Sequence, residues 1–299
     1  MNYKEILVNV LKNGVPKQAT RDEQGNIVPV QKPSIGTFGE VFRHDMSQGF
    51  PLSTLRKLPF KSTVIELEGF CKGVTDKQWF QERRCKYWDH WCSPTLLDSA
   101  NYINRLTNQP EVTKKDYEDL GPLGYSWEFR NFGQEYLNFG PDGLGFDQLA
   151  MMVDKLKNSP YDRRMVVSFW NPQSMGDAAL PSCHLLHNVV VYGDTLNLCW
   201  HQRSCDLLLN ASITTYGLLL LMYAKTAGLK PGILQGTFAD CHLYENQIEA
   251  AKILVERDEK PLPTVDIPDD FDIMNWTHDQ IKLIGYDPWP AVETGEITV

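Results

Sequence analysis

Residues 185–228 constrain the fold more than any other stretch of the chain. Residues 185–192 and 195–202 are strand-like runs separated only by Gly193-Asp194. A two-residue link of this kind between such runs marks an antiparallel hairpin. Residues 215–227 follow as an apolar helix that Gly228 closes. Strands and helices are mixed here without regular β-α-β alternation, so the α+β class is predicted.

The rest of the chain fills in around this block. Residues 1–12 carry apolar and charged residues at helical spacing, stopped by Asn13-Gly14. Residues 16–34 are polar, hold Gly25, Pro29 and Pro33, and are expected to form a mobile loop. Residues 38–43 read as a strand. Residues 62–72 read as a helix with Ile65, Leu67 and Phe70 on or near one face. Residues 93–119 are the least patterned and look like an insertion. Residues 147–158 form an amphipathic helix ended by Ser159-Pro160, residues 165–170 a strand, and residues 243–256 a further helix. No internal repeat interrupts this, and a single catalytic domain over residues 1–299 is the expected organisation.

At 299 residues the chain can bury a sizeable core without staples. A formal net charge of −9 argues against a general nucleic-acid surface. It leaves room for a small anion held by a few local arginines. Seven scattered cysteines, no CxxC pair and no secretory signal at the N-terminus point to a reduced, cytoplasmic setting, and no metal is expected. Apolar runs such as residues 216–227 fall short of the ~20 residues a membrane span needs.

The chemistry concentrates in few places. Cys183-His184 sets a thiol beside an imidazole just before a strand, where an activated nucleophile can sit. Arg203, among Gln202, Ser204 and Asp206, stands at a strand end and suits a phosphate. Asp162-Arg163-Arg164 offers a second basic cluster. Together the two clusters present three guanidiniums to a dianion. Glu66 is a lone carboxylate on an apolar helix face, a costly placement unless it is employed.

Pro181-Ser182-Cys183-His184, Gln202-Arg203-Ser204-Cys205-Asp206, Gly228-Leu229-Lys230-Pro231-Gly232 and Asp240-Cys241-His242-Leu243-Tyr244 together resemble the thymidylate synthase family. Gly49-Phe50-Pro51-Leu52, Trp88-Asp89-His90-Trp91, Leu120-Gly121-Pro122, Tyr161-Asp162-Arg163-Arg164 and Gly285-Tyr286-Asp287-Pro288 continue the likeness in family order. The resemblance covers residues 38–91 and 120–299 and implies a mixed twisted sheet flanked by helices, with the sheet forming the interface of a homodimer. It further implies one-carbon transfer from 5,10-methylenetetrahydrofolate, a co-substrate, to C5 of a pyrimidine nucleotide monophosphate. Cys183 resembles the nucleophile that adds to C6, with His184 beside it. Nearby arginines are expected to lower the thiol's pKa. Arg203 and Ser204 resemble the phosphate site, next to Gln202, with Arg163 and Arg164 reaching over from the partner subunit. Glu66 resembles the glutamate that organises proton transfer around the base, and Tyr125 the tyrosine that helps remove the C5 proton. His242 and Tyr244 resemble the pair on the sugar 3′-hydroxyl. Asp206 resembles the aspartate on the pterin ring, Trp88 and Trp91 its packing walls, and Val299 the closing tail.

Three departures accompany the likeness. The arginine-bearing phosphate loop ahead of the first family strand is replaced by residues 30–37, where Lys32 is the available cation. The family's Gly-x-Pro-Phe-Asn segment, whose asparagine reads the base, is two residues shorter here; Ser212 falls at the asparagine, with Asn210 close by. Gly69 stands where a bulky aromatic is usual. The leading expectation is conversion of dUMP to dTMP. The alternatives are 5-hydroxymethylation of dCMP, dUMP or CMP, and methylation of dCMP. A cysteine hydrolase using Cys183 and His184 and a non-catalytic nucleotide- or RNA-binding relative explain fewer of these motifs.

Overall fold

The computed structural model describes residues 1–136, 145–209 and 211–293. Helix α1 (Tyr3–Asn13) leads into strands β1 (Val15–Arg21) and β2 (Ile27–Asp45). Helices α2 (Phe60–Cys71), α3 (Lys77–Glu82), α4 (Pro94–Leu106), α5 (Trp127–Asn131) and α6 (Gln148–Asn158) follow, then strands β3 (Val166–Ser168), β4 (His184–Tyr192) and β5 (Thr195–Asp206). Helix α7 (Ala211–Ala227), strand β6 (Lys230–Tyr244), helix α8 (Ile248–Glu256) and a small hairpin of β7 (Thr264–Asp266) and β8 (Lys282–Ile284) complete the described chain.

Six strands form one mixed sheet in the order β1-β2-β6-β5-β4-β3. The predicted hairpin is its β4/β5 pair, turning at Gly193 with φ +61°. Strands β5 and β6 are parallel, and α7 is the crossover between them. Leu218, Leu220, Met222 and Tyr223 of α7 are fully buried. Each such side chain contributes roughly 1.5–3 kcal/mol of burial. Along β4, β5 and β6 the inward residues are buried and the alternate ones are half-exposed, as expected of a sheet covered on one face. The less covered face carries Phe38, Val41, Asn197, His201, Gln235 and Thr237, with Phe38 90% exposed.

Two expectations need correction. Residues 16–34 are not a loop: β1 pairs with β2 antiparallel over this stretch, turning at Asp22–Gly25, so Lys32 lies in a strand. Every β1 side chain is exposed, which is why its polar sequence hid it. Residues 93–119, the least patterned stretch of the sequence, hold helix α4, begun by the Ser93 side chain accepting from the Leu96 N–H, which leaves the insertion reading untouched. The helix placed at residues 243–256 starts only at Ile248. Residues 243 and 244 belong to β6, the fifteen-residue strand that sequence reading missed. Gly232 and Gly236 punctuate β6, and Gly236 leaves the space that the Trp200 indole fills. At Gly69, Phe80 and Trp79 of α3 occupy the room an aromatic would need.

This topology gathers one end of the sheet. His184 pairs with Gln202, Asp206 with His242, His242 with Gly36, and Tyr244 with Ser34. Cys183, Arg203, Asp206, His242, Tyr244 and the neighbourhood of Lys32 therefore share that end. The 161–164 loop lies at the other, where the Tyr161 hydroxyl donates to Gly193 O at 3.1 Å.

Candidate active site

Cys183 ends the loop before β4 and is half-buried. The Arg203 guanidinium, carried on β5, points its Nη2 at the Cys183 Sγ from 3.8 Å. The same guanidinium donates to Ser182 O and Pro181 O, each at 2.9 Å, and stacks 5.7 Å from the Trp170 ring. It is thus oriented by the loop it serves. Burial pushes the Cys183 thiol up, while Arg203 and the Tyr125 hydroxyl pull it down. Burial prevails, so within one chain the expected lowering is not reached.

Tyr125 is buried, and its hydroxyl oxygen accepts from the N–H of Cys183 at 2.5 Å and of His184 at 3.2 Å. Burial raises the phenol well above its usual range, so it keeps its proton at neutral pH. The His184 ring packs on Tyr125 and Tyr216 at 4.9 and 5.3 Å. Burial lowers its pKa to about 3. A neutral imidazole facing aromatic rings is not an imidazolium partner for the thiol, which removes the geometric basis of a Cys-His hydrolase.

Glu66 sits on the buried face of α2 and accepts a hydrogen bond from Trp88 Nε1 at 3.1 Å. Trp88, expected as a wall, is buried and uses its indole N–H on this carboxyl. Phe70 links the two halves of the site, 6.2 Å from Trp88 and 5.4 Å from Tyr125. Trp91 is partly buried against the same core. Burial pushes Glu66 up to about 8, against the pull of the Trp88 hydrogen bond. The carboxyl is therefore mostly protonated at neutral pH, a store for one proton.

This raised value has a stability consequence. The ordinary carboxyl value is 4.5 and the folded one is about 8. Between them the folded state holds a proton that the unfolded state has released, so stability falls as pH rises through that window. Glu66→Gln removes the effect. The unfolding free energy of Glu66→Gln relative to wild type is expected to climb steadily from pH 5 to pH 8, by roughly a few kcal/mol in total. Calorimetry at several pH values checks it; a constant difference would refute the assignment.

Asp206, at the end of β5, accepts from the N–H of Leu208 and Leu209 at 2.9 and 3.2 Å and from Gln247 Nε2 at 2.9 Å. Gln202 is buried and internally bonded, to Trp200 Nε1 and to Ser204 O. Ser204 is half-buried beside it. The His242 ring is 6% exposed, its Nδ1 has no hydrogen-bond partner, and Tyr244 meets it edge-on at 5.1 Å. Asp240 Oδ1 lies 3.8 Å from this nitrogen, beyond hydrogen-bond distance, so the ring atom can still take an external hydroxyl. Lys32 is half-buried, and burial lowers its pKa. Ser212 is buried in the first turn of α7. Asn210 and Val299 lie outside the described residues. Arg163 and Arg164 are exposed at the far end of the sheet, remote from Cys183 of their own chain. Sequence reasoning missed Trp170 and Gln247, which act only through Arg203 and Asp206 and carry no motif of their own. Among the described residues there is no cluster of three or more metal-ligating side chains, and no helix long and apolar enough to cross a membrane.

Fold and site together define an α+β protein with an arginine-held thiol at one end of a mixed sheet. A family model described as thymidylate synthase matches residues 1–298. The chain belongs to the thymidylate synthase family and is a transferase. It is 32% identical over 299 residues to a thymidylate synthase of Mycoplasma pneumoniae, spanning 99% of each chain. It is also 32% identical over 296 residues to a bifunctional dihydrofolate reductase-thymidylate synthase of Zea mays, covering 97% of this chain and 53% of that one.

Proposed function

We propose that the chain converts dUMP to dTMP, with methylenetetrahydrofolate as the source of the carbon and the hydride. The observation that carries this reading is the Cys183 thiol held 3.8 Å from a guanidinium that its own loop orients. In the reaction, the Cys183 sulfur adds to C6 of the pyrimidine, and C5 gains the nucleophilic character to take up the one-carbon unit. Arg203 binds the phosphate, His242 and Tyr244 the sugar hydroxyl, and Glu66 relays a proton at the base. Tyr125 fixes the Cys183 and His184 amides and stands where the C5 proton departs. Asp206 and Trp91 face the folate.

Arg163 and Arg164 belong in this reading to the site of a second protomer. Eight residue steps of β4 at about 3.3 Å separate His184 from the Gly193 end, some 25 Å, too far for either arginine to reach Cys183 of its own chain. A homodimer packed through the less covered sheet face solves this. Two added guanidiniums also supply the positive field that lowers the thiol, which burial alone holds up. Free cysteines throughout the described residues fit a cytoplasmic enzyme. Product analysis by mass spectrometry tests the reading: incubation with dUMP and methylenetetrahydrofolate is expected to give a methylated nucleotide, and one extra oxygen would identify a hydroxymethylase.

The base reader yields a further expected outcome. A serine hydroxyl both donates and accepts, so Ser212 meets O4 of uracil or the N4 amine of cytosine without leaving a buried group unpaired. An asparagine held by its neighbours does not switch so freely. The ratio of kcat/KM for dUMP over dCMP is therefore expected to lie below the roughly ten-thousand-fold that a fixed hydrogen-bonding site supplies. A larger preference for dUMP would refute the relaxed reader and leave the synthase reading standing.

A further inference from the structure

Lys77 is the first residue of α3, yet its side chain turns inward and is 1% exposed. A buried ammonium is costly unless its three N–H donors find acceptors. Here they face main-chain carbonyls: Lys115 O at 2.9 Å, Lys114 O at 3.0 Å, Trp91 O at 3.3 Å and Asp89 O at 3.4 Å. These four oxygens come from two segments far apart in sequence.

Each segment has a second attachment. The return of residues 114–119 is stitched to the start of α3 by Lys77 N donating to Glu118 O at 2.8 Å, and to α4 by Ser93 N donating to Asp119 O at 2.8 Å. The Asp89–Trp91 turn is closed by Trp91 N donating to Trp88 O at 3.0 Å. Trp88 in turn gives its indole N–H to Glu66. Three hydrogen bonds, Lys77 to Trp91, Trp91 to Trp88 and Trp88 to Glu66, therefore link the Lys77 ammonium to the Glu66 carboxyl through the covalent frame of the two tryptophans.

We propose that Lys77 is a positioning residue: its ammonium clasps the turn after Trp88 onto residues 114–115 and thereby holds the indole that bonds Glu66. The inference rests on Glu66 being the proton carrier of the proposed reaction, and it gives residues 93–119 a task, that of supplying half of the carbonyl cage. An ammonium suits the task better than a hydrophobic side chain of the same length. It draws four carbonyls to one point, where an apolar tip would leave them unpaired.

The test follows the Glu66 proton directly, in the full-length protein. Infrared difference spectra across a pH titration report the buried carboxyl, with the band assigned by its loss in Glu66→Gln. Because the Trp88 hydrogen bond favours the charged carboxylate, loosening it raises the Glu66 midpoint. Lys77→Met is expected to raise it by roughly one pH unit. Trp88→Phe is expected to do the same, and the double variant to add nothing further, as for two groups on one path. Lys77→Ala supplied with propylammonium is expected to return toward the wild-type midpoint. A folded Lys77→Met protein with an unchanged midpoint, or full additivity with Trp88→Phe, overturns the proposal. If Lys77→Met does not fold, Lys77→Gln, which keeps two donors on a shorter stem and cannot span all four carbonyls, is expected to raise the midpoint by a smaller amount, and a folded Lys77→Gln protein with an unchanged midpoint overturns the proposal equally. The spectra need no turnover, so they stand apart from the product assay that tests the reaction itself.

Discussion

Replacing Cys183 by alanine is expected to lower turnover by roughly four orders of magnitude or more while nucleotide affinity changes little. The substitution removes only the atom proposed to form the bond to C6. Arg203 keeps its two carbonyl anchors on Ser182 and Pro181, so the phosphate site is preserved. His242 and Tyr244 belong to another strand and are untouched. Loss of turnover with retained binding separates a covalent role from a structural one. Steady-state rates and equilibrium titration with dUMP check it. A Cys183→Ala protein with near-normal turnover would overturn the covalent mechanism.

The second large effect is recovery rather than loss. Cys183→Ala and Arg163→Ala/Arg164→Ala homodimers are each expected to be nearly inactive. After subunit exchange, a mixed dimer holds one site with an intact thiol and intact borrowed arginines. Random mixing makes half of the dimers mixed, with one of two sites restored, so roughly a quarter of wild-type activity is expected. Size-tagged chains monitor the exchange. Proven exchange without recovery would place Arg163 and Arg164 outside any shared site.

The site was more legible in the sequence than the fold around it. Cys183, Arg203, Asp206, His242 and Tyr244 lie in short contiguous motifs, and a motif survives in one dimension because its residues are neighbours in the chain. Their meeting depends on β6, which sequence reading missed. Its Pro231, Gly232 and Gly236 imitate turn signals, although Gly236 is there to admit the Trp200 indole. The β1 and β2 hairpin was hidden for another reason: β1 is wholly exposed, so no alternation of apolar residues announces it. Glu66 stood out because a carboxylate among apolar residues breaks a pattern. Lys77 did not, because an exposed-looking lysine next to an aspartate at a helix start is ordinary, and its burial comes from residues 114–115 folding back over it. The proton state of Cys183 was not legible either. The sequence places an arginine near the thiol, but only packing reveals that burial outweighs it.

The buried carboxyl of Glu66 also alters what a binding experiment on this protein measures. Its midpoint near 8 sits within the range of ordinary laboratory buffers. Any ligand that changes the polarity around α2 shifts that midpoint and so takes up or releases a fraction of a proton. Part of the heat of association then belongs to the buffer, and affinities obtained at pH 7 and at pH 8.5 describe different reactions, one of them carrying a hydrogen ion as an extra reactant.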